Sequence, residues 1–201
     1  MAEDSTQPPH ATRFVETPRG VLSYAQLAPL LAERVLKVQE DIEDELFASQ
    51  ALDESLLLDF HRGICGDLTP AWAGRFRDAD VRVGEHHPPP PYRVPQLIRD
   101  YFADLNTRMG TLHDAGDPLL LELLAFAEGR LLSIHPFPDF NGRVTRLFLA
   151  ELLRRLELPA VEVAPASPVN RQRFLEALHA ADKLDWQPLI LLWKDRIETA
   201  S

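Results

Sequence analysis

The residues with the clearest chemical potential lie in one segment of twelve residues, HPFPDFNGRVTR, at positions 135–146. The polar residues of interest are His135, Asp139, Asn141, Gly142, Arg143 and Arg146. The run from Gly142 to about Leu156 is typical of a helix, and Asn141 is its predicted N-cap. A helix start carries partial positive charge, so cations are unfavourable there. The two arginines therefore indicate that this helix start binds an anion.

Phosphate is the anion that helix N-termini most often bind. Gly142 allows the backbone to approach a ligand closely, and Arg143 and Arg146 share one helix face and could bond to different phosphates. Asp139 suits Mg²⁺, which takes one or two protein oxygens together with phosphate oxygens. The unperturbed pKa of histidine lies near neutrality, so His135 suits a general base. The pattern predicts a phosphate or nucleotide site; a structural histidine and a solvated arginine pair are the alternative.

Composition limits the class of protein. The chain has 201 residues, 45% of them hydrophobic, and a formal net charge of -10. An acidic chain is a poor general binder of nucleic acid or of an anionic membrane. Its only cysteine, Cys65, excludes an internal disulfide. With neither a signal-like start nor an apolar run of the ~20 residues that span a bilayer, we expect a cytoplasmic protein without nucleic-acid or membrane partners.

The periodicity of apolar residues predicts mostly helices. The predicted segments are 24–42 with Ser23 as N-cap, 52–64, 95–109, 118–132, 142–156, a helix capped by Ser167 or Asn170 and ending at 180, and 185–197. Alternation around residues 76–85 predicts a short hairpin, which the four prolines at 88–91 bring to an end. His86 and His87 are interpreted as exposed loop residues, with a metal site as the alternative. The predicted fold class is all-α.

The segment HPFPDFNGRVTR resembles the signature of the Fic family, H-x-F-x-[D/E]-G-N-G-R-x-x-R, at seven of its eight specified positions. Upstream, DFHRGICGDLTPAWAGRFRDADVRVG and HHPPPPYRVPQLI are similar to the family's preceding helix and flap. The resemblance implies an all-α Fic-fold helical bundle with a small β-hairpin flap. It divides the chain into a flexible N-terminal arm at 1–20, an N-terminal helix at 21–50 as a candidate regulatory element, and a Fic domain at 51–201.

The resemblance also implies an activity, the transfer of AMP from ATP to a Ser, Thr or Tyr hydroxyl of a target protein, with Mg²⁺ as cofactor. The implied roles are general base for His135, Mg²⁺ ligand for Asp139, anion hole for Asn141 and the backbone at Gly142, and neutralisation of the β- and γ-phosphates for Arg143 and Arg146. The hairpin at residues 81–85 is expected to align the target by strand addition.

Phe140 departs from the family pattern because it replaces the first glycine of the signature, within the predicted nucleotide-binding set. A negative φ with the ring turned away would keep the phosphate nest intact, and any other arrangement would shift the phosphates. The Gly142–Arg143 pair favours adenylyl transfer, since the phosphorylating Doc proteins carry lysine at the position of Gly142. The alternatives are a Fic-fold phosphotransferase, UMP transferase or deAMPylase, and a non-catalytic module that binds nucleotide or a partner.

Many Fic proteins are restrained by a helix motif, [S/T]-x-x-x-E-[G/N], whose glutamate pairs with the last arginine of the signature. Residues 12–16 have this spacing, but Thr17 and Pro18 follow. Glu43 is the candidate inhibitory residue opposite Arg146, and a solvated acidic helix face is the alternative interpretation. Besides the target protein, the candidate partners are a second copy of the chain and an antitoxin-like regulator.

Overall fold

The computed structural model describes residues 14–113, 118–165 and 167–200. In these ranges the chain forms one antiparallel hairpin and seven α-helices, which confirms the all-α prediction. The elements are β1 (Phe14–Thr17), β2 (Gly20–Ser23), α1 (Tyr24–Glu43), α2 (Glu54–Cys65), α3 (Val94–Thr111), α4 (Leu119–Ile134), α5 (Asn141–Arg155), α6 (Pro168–Ala181) and α7 (Gln187–Ala200). Among the described helices, none combines the length and the apolar character needed to cross a bilayer.

The first described element is the β1–β2 hairpin. Thr17 shapes its turn, because the hydroxyl accepts the Arg19 N–H at 3.1 Å and donates to the Gly20 carbonyl at 2.8 Å. Gly20 has a φ of 106°, a conformation that favours glycine. The predicted flexible arm at 1–20 is therefore wrong for residues 14–20, which are part of the hairpin. Residues 1–13 lie outside the described part of the chain.

Ser23 is the N-cap of α1, as predicted. Its hydroxyl accepts the Gln26 N–H, and the Gln26 side chain accepts the Ser23 N–H at 2.9 Å, so the two residues form a capping box. At α6 the same function falls to Ser167, whose hydroxyl accepts the Asn170 N–H at 3.1 Å. The start of α1 is thus fixed locally, immediately after the hairpin.

Helix α4 is central and packs against α3, α5, α6 and α7. Gly129 permits the close approach of α7, since a Cβ there would lie 2.7 Å from Leu189 and 2.8 Å from Trp186. Helix α1 packs against α2 and α5, and α2 also contacts α5. The core therefore fixes both α4, which precedes the segment of interest, and α5, which follows it.

The predicted hairpin at residues 81–85 does not form a ladder. A single bridge, Val83 to His86, closes a turn in which Gly84 has a φ of 59°. Prolines occupy positions 88–91, and because proline has no N–H the pairing cannot extend in that direction. The two-stranded sheet of the described structure lies instead at residues 14–23. We call residues 77–89 the flap segment.

Candidate active site

The loop of residues 135–140 joins α4 to α5 and has left-handed backbone at both ends. His135, directly after α4, has a φ of 50°, and Phe140, directly before α5, has a φ of 63°. Each such residue costs about 1–2 kcal/mol, because its Cβ crowds the following carbonyl. Strain of this kind persists only where the surroundings fix the backbone, and it concentrates at functional sites.

Inside the loop, Asn141 holds the backbone in place. Its side-chain oxygen accepts the Phe137 N–H, and its side-chain NH₂ donates to the Phe137 carbonyl, both at 2.9 Å. The predicted N-cap role of Asn141 is therefore wrong: the residue is the first of α5, and its amide is occupied within the loop. Only the backbone N–H groups at the start of α5 remain to serve the predicted anion hole.

The ring of Phe137 anchors the loop to α2. It stacks on His61 with 4.0 Å between ring centroids, and the His61 Nδ1 accepts the Gly74 N–H at 2.9 Å. Burial lowers the pKa of His61 to about 4, so the ring is neutral at physiological pH. His61 is thus a structural residue beneath the loop.

Phe140 keeps the backbone conformation of a glycine and turns its ring into the core. The residue is only 3% exposed. Its ring centroid lies 5.7 Å from that of Trp72 and 6.3 Å from that of Tyr24. Of the two conditions stated for an intact phosphate nest, the ring is turned away but φ is positive rather than negative. Glycine populates positive φ about as readily as negative φ, so Phe140 has a backbone conformation that the glycine of the family signature could also adopt.

The half-buried Arg143 and Arg146 lie in the first two turns of α5. Arg143 donates to the Tyr24 hydroxyl at 3.1 Å, and its guanidinium carbon lies 5.8 Å from the Tyr24 ring and 5.9 Å from the Phe140 ring. No acidic residue occurs in the first turn of α5. The helix start therefore combines partial positive charge with cations, an arrangement that a bound anion would stabilise.

Asp139 borders an open cavity of about 310 Å³ beside the loop. The other residues around this cavity are Phe14, Val15, Glu16, Trp72 and Pro138. The Asp139 Oδ1 accepts the Phe140 N–H at 2.8 Å, which orients the carboxylate. The described residues contain no group of three or more His, Cys, Asp or Glu side chains suited to a metal. A single carboxylate fits Mg²⁺ that arrives with a polyphosphate, because this ion takes most of its other ligands from phosphate and water.

On the opposite side of the loop, four successive carbonyls at the end of α4 accept hydrogen bonds from the flap segment. They are the carbonyls of Ser133, Ile134, His135 and Pro136. Arg77 supplies three of the donors, with its Nε 2.8 Å from the His135 oxygen, and His86 supplies the fourth, with its Nε2 2.9 Å from the Ser133 oxygen. The side chains of Arg77 and His86 thus satisfy three of these carbonyls, and the backbone N–H of Arg77 satisfies that of Pro136.

His86 also contacts α6. Its Nδ1 lies 2.9 Å from an Asp182 carboxylate oxygen, so both ring nitrogens face acceptors and only the protonated ring can donate to both. The hydrogen bond to Asp182 raises the pKa of His86. The interpretation of His86 as an exposed loop residue is therefore wrong, whereas His87 is exposed.

The structure does not bring Glu43 to the site. Glu43 is the exposed last residue of α1, and the end of α1 that reaches Arg143 is the beginning, at Tyr24. With ~1.5 Å of rise per residue, the two ends of this helix are roughly 28 Å apart. Glu16, which ends the other spacing match, lies in β1 rather than in a helix and lines the cavity beside Asp139.

Sequence reasoning missed two residues of the site. Tyr24 carried no chemical signal, and only the packing of α1 against α5 brings its hydroxyl to Arg143. Arg77 lies in the AGRFR stretch that carried part of the family resemblance, but its bonds to backbone carbonyls leave no pattern of side-chain types to detect.

Comparison with known sequences agrees with this geometry. The model of the Fic/DOC family matches residues 51–153, just over half of the 201 residues. The chain is 31% identical over 142 residues to the protein adenylyltransferase Fic of Aedes aegypti, which covers 71% of this chain and 27% of that protein. The chain therefore spans about a quarter of the length of the curated relatives that it matches.

Solved structures show the same fold. The N-terminal FIC domain of Bep8 from Bartonella sp. 1-1C aligns with a TM-score of 0.75 and 16% identity, over 94% of this chain and 93% of that one. BepC from Bartonella tribocorum, solved with bound AMPPNP, aligns with a TM-score of 0.72 and 18% identity, over 93% of each chain. With the signature residues gathered on one loop, an all-helical fold shared with these domains and a family model matched across half of its length, the chain belongs to the Fic/DOC family.

Proposed function

We propose that this chain transfers AMP from ATP to a Ser, Thr or Tyr hydroxyl of a target protein. The observation that carries the proposal is the start of α5, where Arg143 and Arg146 reinforce the positive helix terminus a few residues after His135 and Asp139. A bound triphosphate would place negative charge at this helix start. The adenylyltransferase names of the curated relatives and the AMPPNP in BepC support ATP as the nucleotide.

In the proposed reaction, His135 acts as the general base. Its imidazole takes the proton from the target hydroxyl as the hydroxyl oxygen attacks the α-phosphorus of ATP. The bond from the α-phosphorus to the pyrophosphate oxygen breaks, so AMP becomes a phosphodiester on the target and pyrophosphate leaves. The left-handed backbone of His135 and its hydrogen bond from Arg77 support this role, because they fix the residue at the end of α4.

The remaining signature residues act on charge. The backbone N–H groups at the start of α5 would donate hydrogen bonds to phosphate oxygens, and Arg143 and Arg146 would neutralise the β- and γ-phosphates of the leaving group. Asp139 would hold Mg²⁺, which when bound neutralises phosphate charge. Catalysis of phosphoryl-type transfer consists mostly of positioning and charge stabilisation, so this small set of residues is sufficient in kind.

A test with ATP labelled at either the α- or the γ-phosphate separates the candidate reactions. The chain is incubated with Mg²⁺, labelled ATP and a cell lysate as the source of acceptor proteins. We expect label on protein from the α position only, and a loss of about 10²–10⁴-fold in the rate for His135→Ala, as for removal of a general base. The matched control is His179→Ala, which changes an exposed histidine on α6 and should leave the rate unchanged.

The other outcomes each overturn the proposal. Label from the γ position would identify a phosphotransferase, and stronger label from UTP would identify a UMP transferase. Release of AMP from modified protein would identify a deAMPylase. Saturable ATP binding without any label would identify a non-catalytic module. The cytoplasmic location, the homodimer, the antitoxin-like regulator and the division of the chain at residue 50 remain predictions. An inhibitory role of Glu43 is not proposed, because this residue lies at the end of α1 that is remote from Arg143.

A further inference from the structure

Arg77 is buried and bonds to backbone carbonyls on two elements. The residue is 3% exposed. Its Nε donates to the His135 carbonyl at 2.8 Å and its Nη1 to the Ala79 carbonyl at 3.1 Å. Its Nη2 donates to the carbonyl of Pro89 and, at 3.4 Å, to that of Ile134. The side chain therefore joins the end of α4 to two positions of the flap segment that are ten residues apart.

The arrangement differs from a buried ion pair. The four side-chain hydrogen bonds of Arg77 described above all end on carbonyl oxygens, and the negative end of the α4 dipole supplies compensating charge. Burial lowers the pKa of Arg77, and the nearby Asp80 carboxylate opposes that effect. Burying a cation costs hydration free energy. We therefore attribute the burial of Arg77 to the geometry of its hydrogen bonds rather than to its charge alone.

The backbone N–H of Arg77 adds a further link, because it donates to the Pro136 carbonyl at 2.9 Å. One residue thus contacts three successive carbonyls, 134–136, on both sides of the left-handed His135. Lysine could not reproduce this pattern, since its ammonium donates from a single point whereas the guanidinium is a planar fork with five N–H groups.

We propose that Arg77 is a positioning residue for His135. Arg77 sets the position of the backbone of this general base relative to the flap segment. The inference rests on the proposed function, with His135 as general base, and on the sequence-based expectation that the flap segment aligns the target. Arg77 bonds to Ala79 and Pro89 as well as to His135. It therefore fixes the distance between the backbone of the general base and the flap segment. A misplacement of about 1 Å between reacting groups can cost about 10²-fold in rate, so the residue matters without touching the substrate.

The test compares Arg77→Lys and Arg77→Ala with Arg75→Lys and Arg75→Ala, which change an exposed arginine two positions earlier. Transfer of α-label to lysate protein is measured over a range of ATP concentrations. We expect the rate at saturating ATP to fall about 100-fold for both Arg77 variants, with the half-saturating ATP concentration within about twofold of wild type. Millimolar guanidinium should restore part of the rate in Arg77→Ala and none in Arg77→Lys, where the side chain fills the site.

Hydrogen exchange provides a readout that does not depend on activity. We expect faster exchange of the amides of residues 79–89 and 134–137 in both Arg77 variants, with α5 unchanged and the Arg75 variants identical to wild type. If the wild-type chain transfers no label, the proposed function fails. The exchange result still shows whether Arg77 couples the flap segment to the backbone at His135. Unchanged exchange in the flap segment, or a rate loss that comes from weaker ATP binding, would overturn the role of Arg77.

Discussion

The C-terminal end of α4 and the N-terminal end of α5 meet at the loop of residues 135–140, and their cations stand in opposite relation to the helix dipoles. At the C-terminal end of α4, the carbonyls of residues 133–136 are paired with Arg77 and His86, and cations there agree with the helix dipole. At the N-terminal end of α5, Arg143 and Arg146 oppose the dipole, and an aromatic residue takes the N-cap position without a side-chain cap. The first terminus is satisfied by side chains of the protein, whereas the second has the arrangement that a bound anion would stabilise.

By this contrast, the cations at the end of α4 stabilise the fold around the site, and those at the start of α5 are placed to contact a bound anion. Cations at the end of α4 should contribute to folding whether or not a ligand is present. Cations at the start of α5 should contribute little to folding and much to nucleotide binding. Substitutions at the two termini therefore test the comparison directly, because they should affect different measurements.

The largest expected effect is on nucleotide affinity at the start of α5. Arg143→Gln should weaken the binding of Mg²⁺-ATP about 100-fold, since charge-assisted hydrogen bonds are worth up to about 3 kcal/mol. The free energy of unfolding should change by less than about 1 kcal/mol. Removing a cation that opposes the helix dipole offsets the loss of the contacts between Arg143 and Tyr24. Titration calorimetry and urea unfolding measure the two quantities.

Arg99→Gln, an exposed arginine on α3, is the matched control for that substitution and should leave both quantities unchanged. Equal ATP affinity in the wild type and Arg143→Gln would contradict the assignment of the α5 start as the anion site. A loss of several kcal/mol in stability would instead make Arg143 a structural residue, like those at the end of α4.

The next effect in size is on stability at the N-cap of α5. Phe140→Gly removes a buried ring, a loss of about 3–5 kcal/mol, and relieves left-handed strain of about 1–2 kcal/mol. The net destabilisation should be about 2 kcal/mol, with ATP affinity within about threefold of wild type because the backbone conformation is kept. Urea unfolding and calorimetry again provide the measurements.

Phe140→Ala sharpens this second prediction. Alanine also removes the ring, but it keeps the Cβ, so it should be less stable than the glycine variant by about 1 kcal/mol. A glycine variant no more stable than the alanine variant would mean that the left-handed backbone at this position relaxes without the ring.

The smallest effect concerns pH at the end of α4. The folded-state pKa of His86 is raised, so its protonation adds stability fully present below about pH 6.5 and lost as pH rises through the folded pKa. Burial opposes the charged form of Asp182, but His86 and Ser133 together lower its pKa, so its own contribution is lost only in acid. The His86–Asp182 pair should therefore be strongest in mildly acidic solution.

Asp182→Asn measures this pair. The substitution should cost about 1 kcal/mol of unfolding free energy near pH 5.5 and much less near pH 9, by proton linkage. His179 on α6 also faces Asp182, so both proteins are compared in a His179→Gln background. Asp104→Asn, an exposed aspartate on α3, is the control and should show no such pH dependence. A cost independent of pH would assign the stability to packing rather than to the protonated ring.

The sequence predicted the helices well because their signals are local. Ser23 and Ser167 are the caps of α1 and α6, and the apolar run of α4 is indeed the central helix. The N-terminal hairpin was missed although its turn signal, Pro18 to Gly20, was present, because short strands with polar neighbours resemble a loose arm. The predicted strands of the flap segment failed for the reason that proline donates no hydrogen bond.

At the site, the residue types were predictable and their partners were not. His135, Asp139, Arg143 and Arg146 follow from the signature, whereas the amide of Asn141 is occupied within the loop. Bonds such as those of Arg77 depend on which carbonyls the tertiary structure presents, and every residue has a carbonyl. Tyr24 reaches Arg143 only because α1 packs along α5, a contact across 119 positions of sequence.

The left-handed backbone of His135 and Phe140 brackets the loop of residues 135–140, and the packing of Phe140 restricts the motion of that loop. Phe140 inserts its ring between Tyr24 and Trp72, so the loop cannot move away from α5 without extracting an aromatic ring from the core. In the proposed reaction, nucleotide entry and pyrophosphate release would therefore depend on the neighbouring surfaces, at β1 or at the flap segment, rather than on opening of this loop.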